Sequence, residues 1–277
     1  MCRWNAYIGQ PLLIGELLYR TKHGLIDESL HSRMGAETTN GDGFGIGWYG
    51  DRDRSVPARY RSISPAWNDT NLRELSDHVE SPIFLAHIRA AIGSPVQQTN
   101  CHPFRHGRWL FVHNGMINGF GALHRELLLA VDPRLFDGIE GSTDSELLFH
   151  LALTLGLEED PLRAMERAVA LIEDTAAGHG VDAPVQMTVG VSDGRRVWAI
   201  RYSSIHRSRT LFLSQEVETL RRLDPDNERL QQLSDRDRVV VSEPLSDLPG
   251  EWIEVPESTA VVLMDGGFEQ MEFSPRS

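Results

Sequence analysis

The sequence lacks the cysteine patterns that staple small secreted domains or bind structural zinc. Its two cysteines, Cys2 and Cys101, are far apart and form no C-x-x-C pair, so neither a disulfide framework nor a zinc motif is indicated. His102, His106 and His113 lie close in sequence, but no H-E-x-x-H pattern or matching carboxylate accompanies them. We therefore expect no metal site, and a reducing compartment disfavours a Cys2–Cys101 disulfide.

Long apolar runs and an excess of basic residues are missing as well. No stretch approaches the roughly 18 apolar residues of a transmembrane helix, and no basic region followed by an apolar stretch marks a signal peptide. The formal net charge is −13, from 27 Lys and Arg against 40 Asp and Glu, which disfavours nucleic acid as a partner. We expect a cytoplasmic protein that binds neither membranes nor nucleic acid.

The residue with most chemical potential is Cys2, directly behind the initiator methionine. Removal of that methionine would leave a thiol and a free α-amine on one residue. The thiol has an ordinary pKa of about 8.5, and an α-amine with a pKa of about 7.7–8 can accept its proton. Cys2 could then serve as both nucleophile and general base. Taken alone, Cys2 is better interpreted as a chance cysteine at a disordered terminus.

Four short motifs follow Cys2 along the chain. They occupy residues 39–45 (TNGDGFG), 86–89 (AHIR), 111–115 (FVHNG) and 141–146 (GSTDSE). In this order and at these separations, together with Cys2, they resemble the class II glutamine amidotransferases, which are N-terminal-nucleophile hydrolases. The resemblance covers about residues 2–200 and is greatest to the small stand-alone bacterial type.

The resemblance implies an α+β fold with four αββα layers, in which two antiparallel sheets are stacked between helices. The apolar pattern alone indicates only an α+β protein with one core. No Pro-, Ser- or Gly-rich linker separates the later strands from the earlier part of the chain. We therefore expect one domain over residues 1–277, with its core at about 2–200 and residues 201–277 completing it.

Hydrophobic patterning places the motifs on secondary structure. Expected strands are 3–9, 83–89, 108–113, 185–191, 196–202, 211–213, 238–241 and 260–264, with an apolar, glycine-containing run at 44–49 and a two-residue hairpin turn at 193–194. Expected helices are 71–80, 116–131, 162–176 and one beginning after Thr143. A helix followed by a loop is expected over 12–35, an exposed hairpin or loop over 51–64, and an exposed helix or loop over 216–233.

Arg89 and Asp144 are the expected substrate-binding residues. An arginine that ends an apolar strand is costly unless it is paired, and its guanidinium fork matches a carboxylate. The resemblance implies that Arg89 binds the substrate's α-carboxylate and Asp144 its α-ammonium. The structural alternatives are a pairing of Arg89 with one of the chain's own acidic residues, and a capping box of Thr143 with Glu146 that does not require Asp144.

Cys2, Asn114 and Gly115 are the expected catalytic residues. A side-chain amide and a neighbouring glycine N–H at a strand end can converge on one oxygen, as an oxyanion hole requires. As a plain turn, the His-Asn-Gly sequence would be unremarkable. The roles of His102, His113 and the loop at 21–40 stay open from the sequence.

The expected activity is hydrolysis of glutamine or another γ-glutamyl amide through a thioester on Cys2, with a small-molecule substrate and no cofactor. The stretch after residue 200 is too short for the synthase domain that family members fuse to this one. Released ammonia would therefore pass to a separate enzyme, or the protein is a hydrolase of γ-glutamyl peptides or of a γ-glutamyl intermediate in ergothioneine synthesis. A non-catalytic regulatory subunit and a hydrolase of non-glutamyl amides are the alternatives, and a homo-oligomer is left open.

Overall fold

The computed structural model describes residues 2–30, 39–50, 56–91 and 93–275. The strands are β1 (Arg3–Leu13), β2 (Phe44–Trp48), β3 (Ala58–Ser62), β4 (Glu80–Ile88), β5 (Phe104–His106), β6 (Trp109–Ile117), β7 (Val185–Ser192), β8 (Val197–Ser203), β9 (Phe212–Ser214), β10 (Arg238–Val241), β11 (Trp252–Glu254), β12 (Thr259–Met264) and β13 (Gly267–Glu272). The helices are α1 (Gly15–Leu18), α2 (Leu25–Leu30), α3 (Thr70–Ser76), α4 (Phe120–Leu129), α5 (Asp144–Thr154), α6 (Pro161–Gly178), α7 (Val217–Leu223) and α8 (Glu228–Gln232).

The strands form two antiparallel sheets. Sheet A has seven strands in the order β11-β9-β10-β1-β4-β2-β3, and sheet B has six in the order β13-β12-β8-β7-β6-β5. Strands from the last part of the chain enter both sheets, since β9, β10 and β11 belong to sheet A while β12 and β13 belong to sheet B. Residues beyond 200 thus complete the same two sheets that the earlier motifs begin.

Three clusters of buried apolar side chains define four layers. One cluster fills the space between the two sheets, a second packs α1, α2 and α3 on the outer face of sheet A, and a third packs α4, α5 and α6 on the outer face of sheet B. The expected αββα architecture is confirmed. None of the helices in the described part of the chain combines the length and apolar character needed to cross a bilayer.

Alternation along β1 fixes the direction in which each side chain points. Trp4, Ala6 and Ile8 belong to the cluster between the sheets, whereas Tyr7 belongs to the cluster under α1–α3. Successive strand residues face opposite sides, so Cys2 shares the inner side with Trp4. A strand buried on both faces reads as a nearly continuous apolar run, which is why the sequence pattern shows β1 clearly.

Strand β6 is longer than predicted, and this moves the expected oxyanion motif. The strand continues from the predicted end at residue 113 to Ile117, with Asn114 opposite Thr188 of β7. Asn114 and Gly115 therefore lie inside a paired strand and not in a turn after it. Helix α4 consequently begins at Phe120, after Gly119 with a φ of 68°, and not at residue 116.

Two other local predictions need correction. Between β7 and β8 the loop spans residues 193–196 and not two residues, because Ser192 pairs with Val197 and the Asp193 carboxylate accepts hydrogen bonds from the N–H groups of Arg195 and Arg196. At the front of the chain, β1 runs to residue 13, so the expected helix from residue 12 is reduced to α1. Residues 31–38 of the expected loop lie outside the described residues.

A buried ion pair anchors the first residue of β1. The side chain of Arg3 is 3% exposed and pairs with Glu243, which is 1% exposed. Arg3 Nη1 also donates to the carbonyl oxygen of Cys2 at 2.8 Å. Because each charge is out of water, neither is stable without the other. The pair therefore fixes the backbone beside Cys2 to the segment that follows β10.

We predict that Glu243→Gln, which removes the charge and keeps the shape, lowers the free energy of unfolding by about 3–5 kcal/mol. The matched control is Asp265→Asn at the Arg236–Asp265 pair, whose side chains are 57% and 62% exposed. An exposed pair of this kind contributes at most about 1 kcal/mol. Urea denaturation of the three proteins checks the difference, and equal losses would show that the Arg3–Glu243 pair is no anchor.

Candidate active site

The Cys2 thiol lies at the start of β1, against the residue that follows Arg89. Cys2 Sγ is 3.4 Å from the N–H of Ala90, which donates to it, and 3.5 Å from the Ala90 carbonyl oxygen. Burial raises the pKa of the Cys2 thiol; the positive charge of Arg89 acts in the opposite direction and the negative charge of Asp144 adds to the rise. Both charges expected to bind substrate therefore act on this thiol.

Arg89 is a buried cation, 3% exposed, immediately after β4. Its Nη2 donates to Ser94 Oγ at 2.6 Å and its Nη1 is 3.5 Å from the Asp42 carbonyl oxygen. The backbone is held as well, because the Arg89 N–H donates to the Gly43 carbonyl oxygen at 2.8 Å. Among the described residues no carboxylate forms an ion pair with Arg89. Since a buried guanidinium is costly without a counter-charge, this one is suited to bind an anion.

Asn114 is 4% exposed, and its carboxamide makes no hydrogen bond to any of the described residues. Side chains alternate along β6, where Leu110 and Val112 face sheet A, so Asn114 faces the same inner side as Cys2. The hydrogen-bonding capacity of this carboxamide is therefore not used by the described residues, so it is available to donate to a ligand.

Gly115 occupies a position at which no side chain fits. An added Cβ would lie 2.0 Å from the Gln186 carbonyl oxygen and 2.5 Å from His113 Nε2. Gly115 itself is exposed. The backbone at Gly115 is therefore accessible to solvent, although the space that a Cβ would occupy is filled.

Asp144 begins α5, and its carboxylate is held by backbone N–H groups. Oδ2 accepts from Ile117 at 2.8 Å and Oδ1 accepts from Ser145 at 2.8 Å. The first contact ties the start of α5 to the end of β6. The carboxylate therefore has a fixed orientation and a negative charge close to the Asn114 strand.

The expected capping box is only half formed. Thr143 is the N-cap and accepts from the Glu146 N–H at 3.2 Å. Glu146 does not return a bond to Thr143, because its carboxylate accepts from Glu140 and Gly141 at 2.9 and 2.7 Å. Glu146 thus fixes the loop before the helix.

A second polar bridge joins β1 to the strand of Asn114. Trp4 Nε1 donates to Thr188 Oγ1 at 3.1 Å, and Thr188 Oγ1 lies 3.5 Å from the Asn114 carbonyl oxygen. This path crosses from sheet A to sheet B two residues after Cys2. It positions β1, which follows Cys2, relative to β6, which contains Asn114.

Three histidines are buried around these strands. His102 stacks on His87 with ring centroids 4.0 Å apart, and His87 Nε2 donates to the His113 carbonyl oxygen at 3.1 Å. Burial lowers the pKa of His87 to about 3 and also lowers the pKa of His102 and of His113. In the part of the chain that the structure describes, no group of His, Cys, Asp and Glu side chains has metal-binding geometry.

Sequence reasoning missed the residues that hold the site together. The buried Arg3–Glu243 pair and the Trp4–Thr188 bridge join segments more than 180 residues apart in sequence, so no local pattern indicates them. Thr188 could have been noticed as a polar residue within the apolar run at 185–191. Ser145 lies inside a recognised motif, but its partner was not predictable.

A cavity of about 1010 Å³ lies elsewhere, on the outer face of sheet A near α7 and α8. Its lining includes Tyr7, Leu17, Val217, Leu220 and Trp252 and none of the five expected site residues. This cavity therefore does not coincide with the region around the Cys2 thiol. The buried Arg89 and the Asn114 carboxamide identify the region around Cys2 instead.

Two stacked antiparallel sheets between helical layers, with a cysteine at the start of a central strand, define the N-terminal-nucleophile hydrolase fold. The family of class II glutamine amidotransferases matches residues 23–277, a range that begins after Cys2. The chain therefore belongs to the class II glutamine amidotransferases. This confirms the family resemblance seen in the sequence.

Similar proteins agree with that assignment. The probable glutamine amidotransferase DUG3 of Saccharomyces cerevisiae is 33% identical over 296 residues, covering 95% of this chain and 82% of that protein. A gamma-glutamyl-hercynylcysteine sulfoxide hydrolase of Mycolicibacterium smegmatis is 26% identical over 271 residues, covering 96% of each. The structure of a glutamine aminotransferase class-II domain protein from Silicibacter pomeroyi superimposes with a TM-score of 0.75 at 31% identity, covering 100% of both chains. The chain is thus similar both to a probable glutamine amidotransferase and to a γ-glutamyl compound hydrolase.

The buried histidines predict a loss of stability in acid. Their folded-state pKa values lie below the value of about 6.5 expected in the unfolded chain, so the unfolded chain binds more protons below pH 6.5. Stability that is fully present above about pH 6.5 is therefore lost as the pH falls. For His87, whose folded-state pKa is about 3, the loss is about 1.4 kcal/mol per pH unit between those values. His102 and His113 add to the loss in the same direction.

Replacement of one histidine by an apolar ring should flatten this dependence. The free energy of unfolding of His102→Phe, from urea denaturation at pH 7, 6 and 5, is expected to fall less steeply than that of the wild type, with a difference that approaches about 1.4 kcal/mol per pH unit below pH 6. His78→Gln, at an exposed position, is the control and should follow the wild type. Parallel slopes for His102→Phe and the wild type would contradict the prediction.

Proposed function

We propose that this protein hydrolyses a γ-glutamyl amide, glutamine or a γ-glutamyl compound, with Cys2 as the nucleophile. The observation that carries the proposal is Arg89, a cation 3% exposed that forms no ion pair with any described carboxylate and lies beside the thiol. A buried charge is retained where a ligand supplies its counter-charge. The α-carboxylate of a glutamyl group fits that requirement.

Recognition of the glutamyl group would use both charges of the site. Arg89 binds the α-carboxylate, and Asp144, held by the N–H groups of Ile117 and Ser145, binds the α-ammonium. Opposite charges on one small substrate are matched by opposite charges on two elements, the end of β4 and the start of α5. A substrate without either group would lose one of these contacts.

The proposed reaction begins with proton transfer from the Cys2 thiol. Because burial raises the pKa of this thiol, it needs a base, and the α-amine exposed by removal of Met1 would supply it. The thiolate sulfur attacks the γ-carbonyl carbon, and a C–S bond forms as the carbonyl π bond opens to an oxyanion. Asn114 and the Gly115 N–H donate hydrogen bonds to that oxygen.

Collapse of the tetrahedral intermediate breaks the C–N bond. The α-ammonium of Cys2 gives its proton to the departing nitrogen, which leaves as ammonia or an amine. Water, deprotonated by the same α-amine, then attacks the thioester and releases glutamate and the free thiol. The chemistry is balanced without a cofactor.

The relatives bear on the leaving amine. One carries the name of a probable glutamine amidotransferase and another that of a γ-glutamyl-hercynylcysteine sulfoxide hydrolase. The substrates implied by these names share a γ-glutamyl group and differ in the amine that is joined to it. We therefore propose the γ-glutamyl group as the recognised unit. Where glutamine is the substrate, a separate enzyme would use the ammonia.

The direct test is glutamate release by purified protein from glutamine, γ-glutamyl peptides and γ-glutamyl thioether amines. We expect release from at least one of them and none from acyl amides that lack the α-amino acid group. Cys2→Ala should abolish release. A wild-type protein inactive on every γ-glutamyl compound would refute the proposal and favour a non-catalytic role.

Arg89→Lys tests the carboxylate contact. Lysine keeps the charge but loses the planar fork, so kcat/KM for γ-glutamyl substrates should fall by about tenfold or more, chiefly through a higher KM. Arg105→Lys is the matched control, because Arg105 is exposed and donates to the Pro57 carbonyl oxygen outside the site. Steady-state kinetics of both variants provide the measurement; unchanged kinetics in Arg89→Lys would assign Arg89 a structural role.

Asn114→Ala tests the oxyanion contact. A donor that acts only as charge develops affects kcat and leaves substrate binding nearly intact. The loss of one such donor typically costs about 10²–10³ in kcat, so we expect that reduction with KM little changed. Labelling of Cys2 by a glutamine-like thiol alkylator should persist in this variant. A kcat within about twofold of the wild type would rule out this role.

A further inference from the structure

A hydrogen-bonded chain leads from the Asp144 carboxylate into the core. Ser145 Oγ donates to Asp144 Oδ1 at 3.2 Å and lies 2.8 Å from His113 Nδ1. His113 is 2% exposed and Ser145 is 6% exposed, so this chain is shielded from water. Buried polar groups linked in series stiffen one another.

Two proton arrangements fit the contacts of Ser145. In the first, the Ser145 hydroxyl donates to Asp144, its oxygen accepts from His113 Nδ1, and the ring proton of His113 lies on Nδ1. In the second, the ring proton lies on Nε2 and the Ser145 hydroxyl donates to Nδ1. Only the first links His113 to the Asp144 carboxylate, and the proposal below depends on it. Burial lowers the pKa of His113, which is consistent with a neutral imidazole.

The same histidine is tied to sheet A through its backbone. His87 Nε2 donates to the His113 carbonyl oxygen at 3.1 Å, which joins β4 to β6 across the space between the sheets. His87 lies two residues before Arg89, and His113 lies one residue before Asn114. One connected path therefore reaches the three segments that carry Arg89, Asn114 and Asp144.

We propose that His113 is a positioning residue that acts through Ser145 to hold the Asp144 carboxylate in the orientation that binds the substrate's ammonium group. The inference rests on the proposed function of the site, because it assigns Asp144 to that group. His113 itself touches no reacting atom. Its contribution is to fix the Asp144 carboxylate relative to β6, the strand that contains Asn114.

The test compares two ligands that differ only in the ammonium group. Calorimetry measures the Kd of L-glutamate and of glutarate for the wild type and for Ser145→Ala. We expect Ser145→Ala to raise the Kd of glutamate by about tenfold, the effect of losing one hydrogen bond to a charged group. The Kd of glutarate should change by less than about twofold. Equal weakening of both ligands, or of neither, would overturn the proposal.

Two further variants separate positioning from general damage. His113→Asn places an amide donor near the position of Nδ1 and should keep the glutamate preference, whereas His113→Ala should lose it. His150→Gln is the control. Like His113, His150 is buried, but it lies on α5 and its Nδ1 bonds to the Glu146 carbonyl oxygen. This control should retain the wild-type ratio of the two dissociation constants.

An NMR readout does not depend on ligand binding. The ¹⁵N shifts of His113 should show a protonated Nδ1 in the wild type and a changed tautomer equilibrium in Ser145→Ala. A protonated Nε2 in the wild type would overturn the inference whatever the activity. Failure of the wild type to bind either ligand or to hydrolyse any γ-glutamyl amide, with the Nδ1 tautomer present, would instead refute the proposed function.

Discussion

Charge that is buried at the start of β1 is the constraint on which the site depends. Arg3 and Glu243 are both nearly inaccessible and are paired, so their charges satisfy each other and lock the backbone next to Cys2. Arg89 is equally buried and has no such partner among the described residues. In such a low-dielectric environment a cation without a counter-charge is costly, which is why we propose that Arg89 binds an anionic group of the substrate.

The layered architecture explains why these groups meet at one edge. Strands β1 and β4 are neighbours in sheet A, and their inner faces lie opposite the inner face of β6 in sheet B. The polar residues Cys2, Arg89 and Asn114 on that inner side are therefore directed into the same region. Helix α5 packs on the outside of sheet B, and its first residue, Asp144, reaches the same edge through the N–H of Ile117.

Much of the fold could be predicted because long, regular apolar patterns are local. The predicted strand at 3–9 and the helix at 162–176 are confirmed by β1 and α6. The short strands β5, β11 and β13 were missed, since few of their residues are buried and their pairing partners, not their sequences, define them. The extent of β6 was wrong for the same reason: pairing with β7 extends it through Asn114.

From its apolar periodicity the sequence by itself determined an α+β protein with one core. The resemblance of its ordered motifs to a known family supplied the family, the αββα architecture and the five candidate residues. The sequence could not decide whether Arg89 is paired internally, or which groups orient Asp144. Those answers depend on contacts such as Arg3 with Glu243 and His113 with Ser145, which are distant in sequence. Only packing of the two sheets and α5 brings such groups within hydrogen-bond distance, so only the tertiary structure decided them.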